Sequence, residues 1–400
     1  MGFIETIKKH PLIIILCVLC AISTITIASA VPYMTNIAHP ERMWIMQLAY
    51  YGIGALIAYI IYKIGMDSLY NNIRLLYWIF MILLIGLAVD HLCYTKLIHH
   101  HVVPFASYVN GSTCWYNLKV FSLQPSEFMK IIMVMYLAQM TKEYNEKVLV
   151  RTTESELHYI GQVLKIALPP AILVLLENDT GVIMIMAVAC FFILVSSGLH
   201  RKWFIGIGVI VVVAILLFSY LFVYHNGIFT TLVSGHRLDR FYGWLDPEGT
   251  ASNQGMQLWF AELSYGTASW FGHGFRASVM TFPEGHTDFI FAVICSDFGY
   301  LGALVTIAAI VIFDIVLLRI GYRSDNDRDK HYTMGIFGCL IFQQAWNISM
   351  VLGLAPITGI TLPLISYGGS SLLSYLFAMG VFFDIDHMNN ITSLSTKEYK

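Results

Sequence analysis

Hydrophobic residues occur in long runs along this chain of 400 residues, and short polar segments separate the runs. A run of about 17–25 apolar residues can cross the hydrocarbon core of a bilayer as a helix. Ten such runs can be distinguished, of which the fifth and sixth are divided only by Asn178, Asp179 and Thr180. We therefore predict an all-α polytopic membrane protein, one integral membrane domain over residues 1–400, with spans at 11–31, 43–64, 73–92, 125–141, 162–177, 181–199, 203–224, 287–320, 332–353 and 364–385.

Composition supports a membrane protein. Apolar residues make up 57% of the chain, charged residues 12%, and the mean hydropathy is +0.68. A soluble domain carries about 25% charged residues. The formal net charge of −2 and the absence of a basic tract give no indication of a nucleic-acid partner. We expect membrane lipid to cover most of the surface.

Lysine and arginine are distributed unevenly over the two sides of this topology. With the N-terminus inside, sixteen of the 23 fall on the cytoplasmic side and seven outside. This excess predicts that both termini are cytoplasmic and that 225–286 forms a large extracytoplasmic loop. The first run follows Lys8 and Lys9 and ends near a signal-like Ala28-Ser29-Ala30. Because it is longer than a signal core of about 7–15 residues, we predict an uncleaved first helix.

The loop between the third and fourth spans contains two cysteines and three adjacent histidines. Cys93 and Cys114 could form a disulfide in an oxidising compartment or remain two separate thiols. The run His99-His100-His101 lacks the ligand spacing of a zinc site, so we interpret it as solvated loop. The chain also lacks a Walker A loop, a dinucleotide fingerprint and a nucleophile elbow. Its substrate or a gradient must therefore drive any reaction.

Ionisable residues at membrane depth are functional candidates, because burying them in lipid is costly. Asp90 and Asp314 lie near span ends, where local pairing explains them. Asp297 follows Asp288 by nine residues and is about half a helical turn out of phase with it. Glu127 and Lys130 are three residues apart, which places them on one helix face. A salt bridge and a polar cavity both fit this last pair.

Four polar motifs follow one another beside the apolar runs. They are Gln-Pro-Ser-Glu-x-x-Lys at 124–130, Asn-Asp-Thr-Gly at 178–181, His-Thr-Asp-Phe-Ile-Phe at 286–291 and the Gly- and Ser-rich segment 356–371. In motif order, spacing and span pattern, the chain resembles the SEDS family, the RodA/FtsW/SpoVE type, over nearly its whole length. The resemblance implies the SEDS fold and a peptidoglycan glycosyltransferase that polymerises Lipid II at the outer face of the bacterial cytoplasmic membrane. It also implies a class B penicillin-binding protein as partner.

The resemblance also assigns site residues by motif position. The essential acid of the family's extracytoplasmic cavity falls on Asp288, and Glu127, Lys130 and Asp179 take the other charged motif positions. In chain growth, a GlcNAc 4-hydroxyl attacks the anomeric carbon of a MurNAc unit, and undecaprenyl pyrophosphate leaves. A carboxylate can act as general base for such a hydroxyl, and we predict this role for Asp288.

The departing pyrophosphate needs positive charge. Candidates are Lys130, the loop residues Arg237, Arg240 and Arg276, and a divalent cation such as Mg or Mn. Gln257 matches the family pattern of the outer loop. Two interpretations of the segment around Ser370 and Ser371 remain open: close packing, or a hydrogen-bonding surface under the cavity.

Departures from the family pattern keep other functions open. Cys114-Trp115 stands where the family has Arg-Trp, Asn178 replaces a proline, and Ser296-Asp297 replaces a Glu-Glu pair. The alternatives are a Lipid II flippase and a non-catalytic scaffold for the penicillin-binding protein. Elongation, division and sporulation types share these motifs, and the chain's length and short tails favour the elongation type.

Overall fold

The computed structural model describes residues 11–398 except 35–36, 38, 98, 110, 119–120, 149, 226, 228 and 231–234. This part of the chain is mainly helical, with one small antiparallel sheet. The helices are α1 (Pro11–Ser29), α2 (Met43–Ile64), α3 (Met66–Asn71), α4 (Ile73–Leu92), α5 (Pro125–Lys147), α6 (Thr153–Leu176), α7 (Thr180–Ser196), α8 (Arg201–Tyr224), α9 (His236–Leu245), α10 (Met256–Gly266), α11 (Ile290–Tyr322), α12 (Asp327–Val351) and α13 (Gly369–Glu398). The strands are β1 (Ala106–Val109), β2 (Ser112–Asn117) and β3 (Ser122–Leu123).

Ten long helices lie where the hydrophobic pattern predicts spans. Seven helices of the described chain are long and apolar enough to cross a membrane, and α7 is a shorter apolar helix. The prediction of an all-α polytopic membrane protein is confirmed. The count of ten spans and the cytoplasmic termini stay predictions.

Local sequence explains where several helices begin and end. Pro125 occupies the first turn of α5, where its missing N–H has no intrahelical partner. Thr152 caps α6 through a hydrogen bond from the Ser155 N–H. The Asp179 carboxylate accepts from the Val182 N–H at 3.2 Å and so caps α7. The polar turn at 178–180 therefore separates α6 from α7, as the sequence predicts.

The first apolar run is part of the folded helical bundle. Helix α1 packs against α2 and α11. The Ser23 hydroxyl donates to the carbonyl of Ile365 at 2.7 Å, and the Ser29 hydroxyl donates to Asp297 at 2.5 Å. Asp297 also accepts from Tyr33 at 2.9 Å. Asp297 thus joins α11 to the end of α1, and it does not share a site with Asp288.

The segment between α4 and α5 holds the sheet. Strands β1, β2 and β3 pair in that order, and the carbonyl of Glu177 accepts from the N–H of Thr113 at 3.3 Å. This contact fastens the sheet to the turn between α6 and α7. Cys93 and Cys114 are both free thiols. Asp90 is buried and bonded to His101 at 2.7 Å, so local pairing accounts for it as predicted.

Helix α11 is interrupted near its start. Gly299 has φ +65° and ψ −163°, which breaks the helical geometry. The freed Ser296 carbonyl accepts from the His273 N–H at 2.9 Å, and the Leu301 N–H donates to the carbonyl of Trp270 at 3.1 Å. The loop after α10 therefore satisfies backbone groups that the break exposes, which lipid could not do.

Candidate active site

A cavity of about 490 Å³ lies where the polar motifs meet. Segments from much of the chain line it: α2, the three strands, the start of α5, the start of α7, α9, the loop before α11, α12, and the segment that joins α12 to α13. The functional side chains in its wall include Glu127, Asp179, Arg240, Glu284, Thr287, Asp288, Ser370 and Ser371. Residues up to 321 positions apart in the sequence thus share one site, from Tyr50 to Ser371.

Asp288 is fixed by the segments around it. It is buried, with 7% of its surface exposed, and lies two residues before α11. The amide of Asn347 donates to the carbonyl of Asp288 at 2.7 Å and to that of Ile360 at the same distance. The Ser366 hydroxyl donates to the carbonyl of Thr287 at 2.5 Å. The backbone that carries the carboxylate is therefore held from two sides.

Burial also changes the chemistry of this carboxylate. Desolvation, followed by the nearby negative charge of Glu284, raises the pKa of Asp288 to about 7, while Arg240 acts in the opposite direction. A carboxylate with a pKa near neutrality is a better proton acceptor than an ordinary aspartate. The raised pKa agrees with the predicted role of Asp288 as general base, which stays a prediction.

The side chains of Arg240 and Asp288 both lie close to the backbone of Gly359. Gly359 has φ +77°, and a Cβ atom built there would lie 3.4 Å from an Arg240 guanidinium nitrogen and 3.7 Å from the Asp288 carboxylate. The guanidinium is anchored by donation to the carbonyl of Thr358 at 3.1 Å. A glycine at 359 therefore lets a cation and the candidate base approach the same point.

Glu127 and Lys130 form the ion pair that their spacing predicts. The Lys130 ammonium donates to the Glu127 carboxylate at 2.6 Å and lies 4.4 Å from the ring centroid of Tyr375. Lys130 has no exposed surface, whereas Glu127 faces the cavity. Lys130 therefore lies beneath the cavity wall and holds Glu127 in place.

Asp179 connects the α7 cap to the start of α5. Its carboxylate accepts from the Gln124 side chain at 2.8 Å, in addition to the capping bond. Burial raises the pKa of Asp179 to about 6. The cap therefore also places a carboxyl group with high proton affinity in the cavity.

The segment around Ser370 and Ser371 is closely packed and borders the cavity, and its role as a hydrogen-bonding surface stays a prediction. The Ser370 hydroxyl donates to the carbonyl of Ser122 at 2.5 Å and accepts from the Gln124 N–H at 2.9 Å. A Cβ atom on Gly369 would lie 3.0 Å from the ring of Tyr50, so the backbone is also closely packed. Both serines line the cavity.

Two of the residues predicted from the outer loop, Gln257 and Arg276, bind backbone carbonyls away from the cavity, and the prediction for a third, Arg237, is not tested. Gln257 donates to the carbonyl of Pro283 at 3.1 Å and supports the loop before Asp288 without lining the cavity. Arg276 binds the carbonyl of Ala28 at 2.8 Å and fastens the loop to α1. Arg237 belongs to α9, and its side chain lies outside the described part of the structure.

The sequence analysis missed Glu284 and Asn347. Glu284 lies two residues before the motif at 286–291 and falls in a loop, where helical spacing gives no signal. Asn347 lies in the last two turns of α12 and is fully buried, and its polarity within a predicted span was the available signal. As for the cation considered from the sequence, no three His, Cys, Asp or Glu side chains converge among the described residues. The divalent cation stays a prediction.

Comparisons with known proteins decide the family. The family described as "Cell cycle protein", FtsW/RodA/SpoVE, matches residues 9–391. This chain belongs to that family. A probable peptidoglycan glycosyltransferase FtsW of Legionella pneumophila is 30% identical over 92% of this chain and 88% of its own length. Its counterpart in Acinetobacter baylyi is 30% identical over 93% of this chain and 87% of its own.

Solved structures of FtsW/RodA/SpoVE proteins share the fold. A chain from a peptidoglycan synthase complex that coordinates polymerization and crosslinking superposes with a TM-score of 0.73, at 21% identity over 95% of this chain and 97% of its own. The rod shape determining protein RodA of Thermus thermophilus gives 0.64, at 21% identity over 94% and 96%. The SEDS fold is confirmed. The preference for the elongation type stays a prediction, since the two relatives above are named FtsW.

Proposed function

We propose that this protein is a peptidoglycan glycosyltransferase that polymerises Lipid II, with Asp288 as general base. One observation carries the proposal: a buried carboxylate of raised pKa lies in a cavity that also contains the anchored guanidinium of Arg240. The FtsW relatives are named for this activity. A base and a fixed cation in one cavity match a reaction that removes a proton and releases a pyrophosphate.

In the proposed step, Asp288 accepts the proton of a GlcNAc 4-hydroxyl. The hydroxyl oxygen forms a bond to the anomeric carbon of a MurNAc unit, and the bond from that carbon to the pyrophosphate oxygen breaks. The pyrophosphate leaves with the electron pair of that bond. Arg240 stabilises the negative charge that develops on it, because a guanidinium can make two parallel hydrogen bonds to phosphate oxygens.

Lipid transport is a poorer fit to the cavity. A flippase needs a polar path through the membrane, but Lys130 is already paired with Glu127 below the cavity. The next residues of α5 are apolar and fully packed; they include Ile131, Ile132, Met133, Val134 and Met135. Apolar packing of this kind gives a polar head group no continuous route along α5.

The predicted topology places the cavity at the outer face of the bacterial cytoplasmic membrane. There the polyprenyl tails would remain in lipid while the sugar heads react. A class B penicillin-binding protein is the partner that we propose for cross-linking the product. Its support is the fold shared with a chain from a complex that coordinates polymerization and crosslinking.

The function is tested with the full-length protein, purified with its penicillin-binding partner and supplied with labelled Lipid II in liposomes. We expect glycan strands, resolved by length on a gel. Translocation of labelled lipid without polymer would show that the protein is a flippase and not a glycosyltransferase. Partner binding with neither activity would show that the protein is a non-catalytic scaffold.

A further inference from the structure

Glu284 has an unusual backbone conformation at the cavity rim. Its φ is +59°, in the left-handed region that residues other than glycine rarely adopt, although Gly285 follows directly. Non-glycine residues in this region persist where the surrounding structure holds them, often at functional sites. The loop holds Glu284 there because its carbonyl accepts from the N–H groups of Thr287 and Phe289, both at 3.1 Å.

The side chain of Glu284 is linked to Asp288 through one hydroxyl group. Thr287 Oγ lies 2.6 Å from a Glu284 carboxylate oxygen and 3.2 Å from an Asp288 carboxylate oxygen. The two carboxylates are therefore within about 6 Å of each other, where like charges interact appreciably. The hydroxyl has a single proton, and the shorter distance indicates that it donates mainly to Glu284. Asp288 therefore receives the weaker hydrogen bond.

Other charged groups face Asp288 from the elements around it. Arg240 of α9 is its cation, and Glu284 is the acid on its own loop. His286 is buried, and burial lowers its pKa, which favours the neutral imidazole. The remaining carboxylates of the cavity wall are Glu127 and Asp179, with Lys130 paired beneath. The negative charge of Glu284 thus counteracts the effect of the Arg240 charge on the proton affinity of Asp288.

We propose that Glu284 is a positioning residue for Asp288: it keeps a second negative charge beside the base and occupies the Thr287 hydroxyl, which makes Asp288 a stronger proton acceptor. This inference deepens the proposed function and rests on it. Arg240 is needed for the pyrophosphate but weakens the base beside it. Glu284 compensates for that effect without contacting the reacting atoms.

The test is the pH profile of polymerisation by Glu284→Gln in the full-length protein with its partner. Glutamine keeps nearly the size of the side chain and removes its negative charge. We expect the acidic limb of kcat/KM to move down by about half a pH unit, because Glu284 is exposed and water screens its charge. The plateau rate should fall about twofold, because a less basic carboxylate accepts a proton less readily. Glu248→Gln removes an exposed charge between α9 and α10 and should leave the profile unchanged.

A second readout separates this inference from the proposed reaction. Infrared titration of the carboxyl bands identifies Asp288 as the band that Asp288→Asn removes. In Glu284→Gln, the midpoint of that band should also move to lower pH, whether or not the protein makes polymer. An unmoved midpoint overturns the role of Glu284, and so does an equal loss of rate at every pH. Absence of polymer from the wild-type protein, with the midpoint still moved, overturns only the proposed function.

Discussion

The ion pair beneath the cavity gives a sharp prediction about stability. Lys130 has no exposed surface, and its ammonium lies 2.6 Å from the Glu127 carboxylate and 4.4 Å from the Tyr375 ring centroid. Lys130→Met preserves most of the apolar volume but removes the charge. Glu127, whose side chain is 7% exposed, then keeps a carboxylate without its counter-ion.

The expected cost follows from this burial. Removing one partner of a buried ion pair costs about 3–5 kcal/mol, because the other charge stays buried without compensation. We expect about 3 kcal/mol here, since Glu127 borders the cavity and water there can partly solvate it. The double variant Glu127→Gln/Lys130→Met removes both charges and should recover about 2 kcal/mol of the loss.

The assay is reversible unfolding in mixed micelles, with the two single variants and the double variant forming a double-mutant cycle. Lys202→Met is the control, because Lys202 is 46% exposed and lies 3.8 Å from Glu156. The buried Glu156 carboxylate keeps its hydrogen bonds from the His200 N–H and the Trp203 indole N–H, so we expect a loss of only about 0–1 kcal/mol. Equal losses for Lys130→Met and Lys202→Met would refute the reasoning. Additive effects of the two single changes would refute it as well.

Two further predictions concern the cavity. Polymerisation should fall about tenfold per pH unit below the Asp288 pKa of about 7, because the base acts only when deprotonated; a flat rate from pH 5 to 8 would contradict this. The Asp288 pKa is higher in the folded protein than in the unfolded chain, so protonation of Asp288 stabilises the folded state at low pH. This stabilisation is lost as the pH rises through about 7. Ser370→Ala should cost about 1–3 kcal/mol in the same unfolding assay, because it leaves Gln124 N–H and the Ser122 carbonyl without their partner. Ser371→Ala is its control and should cost less than Ser370→Ala.

Sequence predicted the helices well because lipid imposes a simple rule. A spanning helix must be apolar over a fixed length, so the runs mark α1, α2, α4 and α8 to within a few residues. Helical spacing also predicted the contact between Glu127 and Lys130. Local chemistry of this kind can be read directly from neighbouring residues.

Contacts between distant segments could not be predicted in the same way. Nothing in the sequence near Arg276 indicates that it binds the carbonyl of Ala28, because the two are 248 residues apart. The break at Gly299 lies inside one apolar run, and its cause is the loop at 268–274 that bonds to it. Gln257 was assigned from motif position alone, which does not give the direction of a side chain.

The most direct test of the central claim separates catalysis by Asp288 from substrate binding. Asp288→Asn keeps the size of the side chain and removes its ability to accept a proton. We expect it to bind labelled Lipid II with wild-type affinity and to lose polymerisation by at least about a hundredfold, the usual scale of general base catalysis. Circular dichroism should show an unchanged fold. Polymerisation at the wild-type rate by folded Asp288→Asn would contradict the account.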